Sequence, residues 1–323
     1  VAIIETAGLT KAFDKLVAVN DLTLSIEEGE IFGLLGPNGA GKTTTISMLC
    51  TLLTPTRGTA TVNGYDILQE PAAVRRSVGI VFQDPTLDTV LTGRENMELH
   101  ARLYNVPRGL AKQRIDELLA VVDLSDRGDD ITKKYSGGMR RRLELARGLI
   151  HHPKILFLDE PTLGLDPQTR QHIWRYIREM ARQEGTTIIL TTHYMEEADE
   201  LCNRVGIIDH GRIMALDTPK GLKGQLGGDV VRLRLREPRT DGFRDLSFVR
   251  EVELQGNVLR LTVVDAERNL ATLLARARDV ESVEVRTPTL DDVFLHYTGH
   301  EIRAEEGAGG WMESVVQYRS RGR

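Results

Sequence analysis

Cysteine is nearly absent from this chain, with Cys50 and Cys202 the only two in 323 residues. Both sit in apolar-periodic segments without CxxC or metal-ligand spacing. That excludes a disulfide framework and leaves two buried free thiols in a reducing compartment as the expectation. No apolar run approaches the roughly 20 residues that a membrane-spanning helix needs. The segment Val1–Glu5 has no basic-then-apolar pattern, so no export signal is expected. Excess basic charge is missing too. The formal net charge is -5, which supplies no field for wrapping nucleic acid, and no nucleic-acid partner is expected. The basic run Arg140-Arg141-Arg142 reads as a solvated helix face. No long internal repeat is apparent.

Hydrophobic residues make up 41% and charged residues 28% of the chain, enough apolar material for a sizeable core. The length implies a main domain with an appendage. Short strands are expected at Ile3–Leu9, Leu22–Ile26 and Ile31–Leu35. A helical stretch runs from Glu95 to His151, and strand–helix alternation then resumes: strand Ile155–Leu158, helix Arg170–Gln183, strand Thr187–Thr191, helix Met195–Asn203, strand Arg204–Ile208. Such alternation implies a largely parallel α/β sheet covered by helices. Gly221, Gly224, Gly227 and Gly228 read as a linker. Beyond it, strand Val231–Leu235, a short helix over Asp241–Leu246, a hairpin of Phe248–Leu254 with Val258–Val264, helix Leu270–Ala277 and strand Val283–Arg286 give the β-α-β-β-α-β order of a small ferredoxin-like α+β domain. The charged, then Gly-rich tail after Gly299, with Trp311 and Tyr318, reads as a flexible terminus.

Gly36-Pro37-Asn38-Gly39-Ala40-Gly41-Lys42-Thr43 fits G-x-x-x-x-G-K-[ST] between a strand and a helix, the setting in which backbone N–H groups converge on phosphate oxygens. Lys42 supplies a mobile cation for the β- and γ-phosphates, and Thr43, followed by Thr44, offers a hydroxyl to Mg²⁺. Asp159 ends the apolar run Ile155–Leu158. It is therefore expected at the tip of a buried strand, facing the phosphates, where it can hold the magnesium shell. Glu160 follows as the candidate base for water.

Tyr135-Ser136-Gly137-Gly138-Met139, a second Ser-Gly-Gly turn opening a helix shortly before that acidic strand, resembles the signature of ATP-binding cassette (ABC) ATPases. Tyr135 stands where Leu is commonest and Met139 where Gln is commonest. The resemblance covers Ile3 to Leu222 and implies a P-loop NTPase (RecA-like) core with an antiparallel β subdomain and an inserted α-helical subdomain. Residues 1–222 would form the nucleotide-binding domain, with the helical subdomain at about 84–151. Residues 229–298 would form an accessory domain and 299–323 the tail.

What the resemblance implies for single residues follows. Phe13 matches the adenine-stacking aromatic, with a core Phe an equal alternative. Gln83 resembles the glutamine that senses Mg²⁺. Gly164-Leu165-Asp166 resembles the loop coupling two active sites, and His193 the switch histidine at the γ-phosphate. Val81-Phe82-Gln83-Asp84-Pro85, the signature with Arg140-Arg141-Arg142, and Pro288-Thr289-Leu290-Asp291-Asp292-Val293-Phe294 are similar to the daunorubicin-resistance-type exporters. The implied protein is the cytoplasmic ATPase of a drug, antibiotic or lipid exporter. It would bind ATP and Mg²⁺ and pair head to tail with a second copy under a separate permease at the membrane's inner face. The alternatives are an exporter of polysaccharide or ions, or a soluble ABC ATPase of translation or DNA maintenance. The latter types carry two cassettes or long coiled-coil insertions, and this chain has neither.

Overall fold

The computed structural model describes residues 1–299 other than 15, 237–239, 241 and 278, so the tail residues Trp311 and Tyr318 and the helix start expected at Asp241 lie outside the described residues. The chain divides into two compact units, Val1–Leu216 and a second that begins at Asp217.

The first unit opens with β1 (Ala2–Phe13) and β2 (Leu16–Glu27), an antiparallel pair of 12 residues each. These are longer than the short strands expected. Register shifts between Thr6 and Lys11, around the left-handed Gly8, interrupt the in–out alternation, so the periodicity breaks where the strand does not. After β3 (Ile31–Leu35) and α1 (Lys42–Leu49), β4 (Arg57–Val62) and β5 (Tyr65–Asp66) complete a four-stranded sheet in the order β2-β1-β4-β5.

Next come α2 (Pro71–Ser77), β6 (Val78–Val81) and three helices: α3 (Gly93–Leu103), α4 (Arg108–Val121) and α5 (Gly137–Gly148). A capping box starts α3, with Thr92 accepting from the Glu95 amide and Glu95 accepting from that of Thr92. The α/β alternation then runs β7 (Ile155–Asp159), α6 (Pro167–Glu184), β8 (Thr187–Thr192), α7 (Met195–Leu201), β9 (Arg204–Asp209) and β10 (Arg212–Asp217). The second sheet has the order β10-β9-β3-β8-β7-β6. Its pairs from β9 through β3, β8 and β7 to β6 are parallel. Strands β3 and β7 are buried along their whole length, as continuous apolar runs in a doubly covered sheet should be. Ile46, Met48 and Leu49 of α1 lie in one core cluster with Phe157, Ile189 and Ile208 of the parallel sheet and Ile4, Leu22 and Val62 of the antiparallel one. Each such side chain contributes about 1.5–3 kcal/mol on full burial. The phosphate-loop helix is therefore clamped between the sheets.

The second unit contains α8 (Pro219–Gly224), β11 (Asp229–Leu235), β12 (Val249–Gln255), β13 (Val258–Val263), α9 (Ala266–Arg276), β14 (Val280–Arg286) and α10 (Leu290–Thr298). Its antiparallel sheet runs β12-β13-β11-β14, which is the ferredoxin-like order. Two expectations are corrected. The short helix near 241–246 is a turn over residues 242–245: Gly242 takes a left-handed φ of 86° and Phe243 is buried in the local core. The supposed glycine linker is partly helical. Thr218 caps the Gly221 amide at 2.9 Å and Pro219 opens α8, so Gly221 and Gly224 lie in a helix despite their poor propensity.

Cys50 and Cys202 are buried and free. Among the described residues no helix is long and apolar enough to cross a membrane.

Between α3 and the start of β7, the Tyr104 and His151 rings stack at 3.7 Å and His100 lies 5.0 Å from Tyr104. Burial and the neighbouring Arg147 cation push the His100 imidazole down from its ordinary value to about 3. Below pH about 6.5 the unfolded chain takes up this proton while the folded chain does not. The stability it contributes is therefore present above that pH and lost as pH falls from 6.5 toward 3. Urea unfolding should show a lower midpoint at pH 5 than at pH 7.5, with a smaller loss in His100→Phe. Equal losses in both proteins would refute the assignment.

Candidate functional site

The parallel register sets the site. Leu35 pairs with Thr192 on one side of β8, and Asp159 pairs with Thr191 on the other. The phosphate loop, the two carboxylates and His193 therefore leave the sheet together at its carboxyl edge, where open α/β sheets bind ligands. Gly36 has no room for a side chain, since a Cβ would lie 2.2 Å from the Ile208 carbonyl oxygen. Gly41 caps α1 at φ 103°, and its Cβ would meet the Ala18 oxygen at 2.4 Å. Asn38 and Gly39 are exposed at the loop tip, while Ala40 is buried and donates its amide to Pro37 at 3.2 Å. Thr43 and Thr44 are half-buried.

Lys42 is 4% exposed and donates to the Gly36 and Pro37 carbonyls at 2.8 and 3.1 Å. Its ammonium stands 3.3 Å from Glu160 Oε1. Burial lowers its proton affinity, and the carboxylate partly restores it. The Thr43 hydroxyl donates to Asp159 Oδ1 at 3.2 Å, and the Thr191 hydroxyl donates to the same oxygen. Burial raises the Asp159 carboxyl above its ordinary range against those two hydrogen bonds.

Glu160 adopts a left-handed φ of 46°, and its amide is held by the Thr191 backbone and hydroxyl oxygens at 3.2 and 3.1 Å. A non-glycine residue in that region is strained and persists only where its surroundings over-determine it. His193 Nδ1 lies 3.2 Å from Glu160 Oε2 without a hydrogen bond. Burial pushes the Glu160 carboxyl up, but His193 and Lys42 together outweigh it and hold it below the ordinary carboxylate range.

Hard oxygen donors at Thr43 and Asp159 suit Mg²⁺. The described residues contain no cluster of three or more His, Cys, Asp or Glu that could hold a metal alone. A magnesium ion would then draw most of its remaining ligands from phosphate and water, which is its usual habit.

The remaining sequence-predicted residues sit around this centre. Gln83 is half-buried just past β6. Phe13 is half-buried at the end of β1, outside the buried core cluster, with the Lys11 ammonium 5.0 Å from its ring centre. Ser136 caps α5 by accepting from the Met139 amide at 3.2 Å, which leaves its own O–H free to donate. Ser136 and Gly137 are exposed, and the nearest neighbours at Gly137 and Gly138 are Leu165 and Thr169, not the phosphate loop. Asp166 caps α6 by accepting from the Thr169 amide and hydroxyl at 3.0 and 2.6 Å. The structure thus brings Lys42, Thr43, Asp159, Glu160 and His193 together, while the signature glycines have Leu165 and Thr169 beside them and no phosphate-loop atom within 4 Å.

Thr191, which steers both carboxylates, was missed as a functional residue. Its only trace in the sequence is a hydroxyl two residues before His193. The solvated-face reading of the arginine run is also corrected. Arg141 is buried, and Arg142 donates to the Val122 carbonyl at 2.7 Å and stacks over Tyr176.

Residues 19–163 match the ABC transporter family model, and residues 218–298 match the C-terminal domain of DrrA1-3-like ATP-binding proteins. The daunorubicin resistance ATP-binding protein DrrA3 of Streptomyces coeruleorubidus is 42% identical over 93% of this chain and 97% of its own length. The linearmycin resistance ATP-binding protein LnrL of Bacillus subtilis is 38% identical over 93% and 99%. Among solved structures, the dimeric bacterial ABC transporter cassette MJ0796 superposes with a TM-score of 0.60 at 27% identity, covering 67% of this chain and 98% of that one. With the phosphate loop, the acidic strand end and the signature turn all in place, the chain belongs to the ATP-hydrolysing, ATP-binding subunits of ABC transporters, in the daunorubicin-resistance exporter group.

Proposed function

We propose that two copies of this chain close head to tail on two Mg-ATP molecules, each site taking the phosphate loop from one copy and Ser136-Gly137-Gly138 from the other. The observation that carries this reading is the separation of the two phosphate-binding elements. The signature turn is exposed, has a free hydroxyl proton, and packs beside Leu165 and Thr169 in its own chain, away from the loop it would complete. A helix N-terminus is a ready seat for an anion, so the γ-phosphate it receives would be the partner's.

In this reading Phe13 stacks on adenine, and Gly36 to Thr44 cradle the phosphates with Lys42 at the β- and γ-oxygens. Thr43, Gln83 and Asp159 would hold Mg²⁺, which when bound neutralises charge on the phosphate oxygens. Phosphate draws Lys42 away from Glu160 and leaves that carboxylate with His193. Burial then raises its proton affinity toward the range a general base needs. Glu160 takes a proton from water as the water oxygen bonds to the γ-phosphorus and the bond to the β-phosphate oxygen breaks. His193 orients the γ-phosphate, and Asp166 lies in the loop that couples the two sites.

The sandwich drives a separate integral-membrane permease from the inner face of the cell membrane, exporting a drug-like, antibiotic or lipid-like molecule. Residues 1–222 serve as the nucleotide-binding domain, with the helical subdomain at about 84–151, and 229–298 as an accessory, regulatory domain that adds no chemistry. The names of the relatives, with near-complete mutual coverage, support the substrate class.

Four outcomes are expected. Glu160→Gln should bind ATP normally, lose about 100-fold or more in turnover and persist as an ATP-dependent dimer on size exclusion. Ser136→Arg should bind ATP and stay monomeric; normal turnover in the first or dimers in the second would refute the sandwich. A chain ending at Leu226 should keep its ATP dissociation constant while dimerisation or coupling changes, and loss of ATP binding by a folded truncate would contradict an accessory role. Pull-down from native membranes should recover a multi-span permease encoded near this gene, and persistent absence of any such protein would count against transport.

A further inference from the structure

Arg141 carries a role that neither the motif set nor the relatives assign. It lies in the second turn of α5, whose first residues are the signature glycines, yet its guanidinium points into the protein and is 6% exposed. Its Nε donates to the Pro161 carbonyl at 2.7 Å, and Nη2 donates to the Asp159 and Glu160 carbonyls at 3.0 and 3.2 Å. Nη1 donates to the Phe82 carbonyl at 2.6 Å and lies 3.4 Å from Glu144 Oε2. The other oxygen of Glu144 accepts from the Thr86 amide at 2.6 Å. One side chain thus holds the backbone on both sides of Glu160 and, with Glu144, both ends of the segment that carries Gln83.

This is an unusual use of a buried charge. A buried ion pair adds little net stability, because desolvation offsets most of the attraction. What the guanidinium supplies is geometry: a planar fork of five donors that a lysine, a point charge, cannot reproduce. The segment it grips includes the left-handed Glu160, a conformation that needs its neighbours to hold it.

We propose that Arg141 is a positioning residue for the Glu160 of its own chain. It stands on the helix whose tip faces the partner's nucleotide, but its hydrogen bonds run to the backbone that carries the carboxylate serving its own phosphate loop. The helix that senses one nucleotide therefore sets the hydrolytic residue at the other. This inference rests on the two-copy sandwich proposed above.

Mixed dimers of two differently tagged full-length chains test it. Wild type paired with Glu160→Gln is the reference, with one competent site. Pairing Arg141→Lys with Glu160→Gln puts the change in the chain that owns the competent carboxylate. Pairing wild type with a chain carrying both Arg141→Lys and Glu160→Gln puts it only on the helix that donates the signature. The first pair should lose about 10- to 100-fold in kcat relative to the reference, the scale expected for a small misplacement, with KM for ATP within about twofold. The second pair should stay within about twofold of the reference. The reverse pattern, equal losses in both pairs, or an undiminished first pair overturns the proposal.

The uniform Arg141→Lys protein should show the same split, a lower kcat with an unchanged ATP dissociation constant and thermal midpoint, and an unchanged kcat there overturns it as well. A reference mixture from which pull-down on one tag recovers no ATP-dependent mixed dimer overturns the sandwich reading, and the assignment between chains falls with it.

Discussion

The hydroxyl of Thr191 donates to Asp159 and accepts from the amide of Glu160, and much of the site follows from that one group. It joins β8 to the end of β7 at the level where the parallel ladder stops. Asp159 is thereby turned toward Thr43 and the chain is forced into the left-handed bend that presents Glu160. The fully buried β3 and β7 make the register that places Thr191 there. A slip of one residue in a parallel pair would send every side chain to the opposite face. Core packing and site geometry are therefore one constraint.

Charge is balanced locally within this frame. Lys42 and Glu160 are both nearly excluded from solvent and lie 3.3 Å apart, while His193 approaches the same carboxylate from its other oxygen. Each ion offsets part of the other's desolvation cost, since a buried charge is tolerated only when paired. A bound phosphate would compete for Lys42 and so change the electrostatic setting of Glu160. The loop carbonyls of Gly36 and Pro37 meanwhile keep the ammonium oriented. Arg141 belongs to the same design one layer out, binding backbone where Lys42 would bind substrate.

The contact residues of the site were legible in the chain because their chemistry is bound to local spacing. Gly36 to Thr43 form a loop whose conformation is set within eight consecutive residues, and Asp159-Glu160 end an apolar run that can only be a buried strand. What escaped was held by partners distant in sequence. The β1 strand continues past Leu9 because β2 and β4 pair with it through irregular register. The turn at 242–245 replaces a helix because Phe243 packs into a sheet core formed by strands before and after it in the chain. Glycine content suggested a linker at α8, and a threonine cap overruled it.

The arginine run marks the limit most clearly. Consecutive helix positions point in different directions, so three arginines in a row have three environments that no local pattern separates. Arg141 meets carbonyls from residues 82 and 159–161, brought to it only by the folded sheet. By itself the sequence determined the family, the nucleotide chemistry and the order of the layers, since these depend on short-range spacing and hydrophobic period. The tertiary structure decided which buried charges pair, which backbone segment each long side chain holds, and on which surface the signature turn stands. Those outcomes depend on contacts between residues far apart in the chain, and spacing along it carries no information about them.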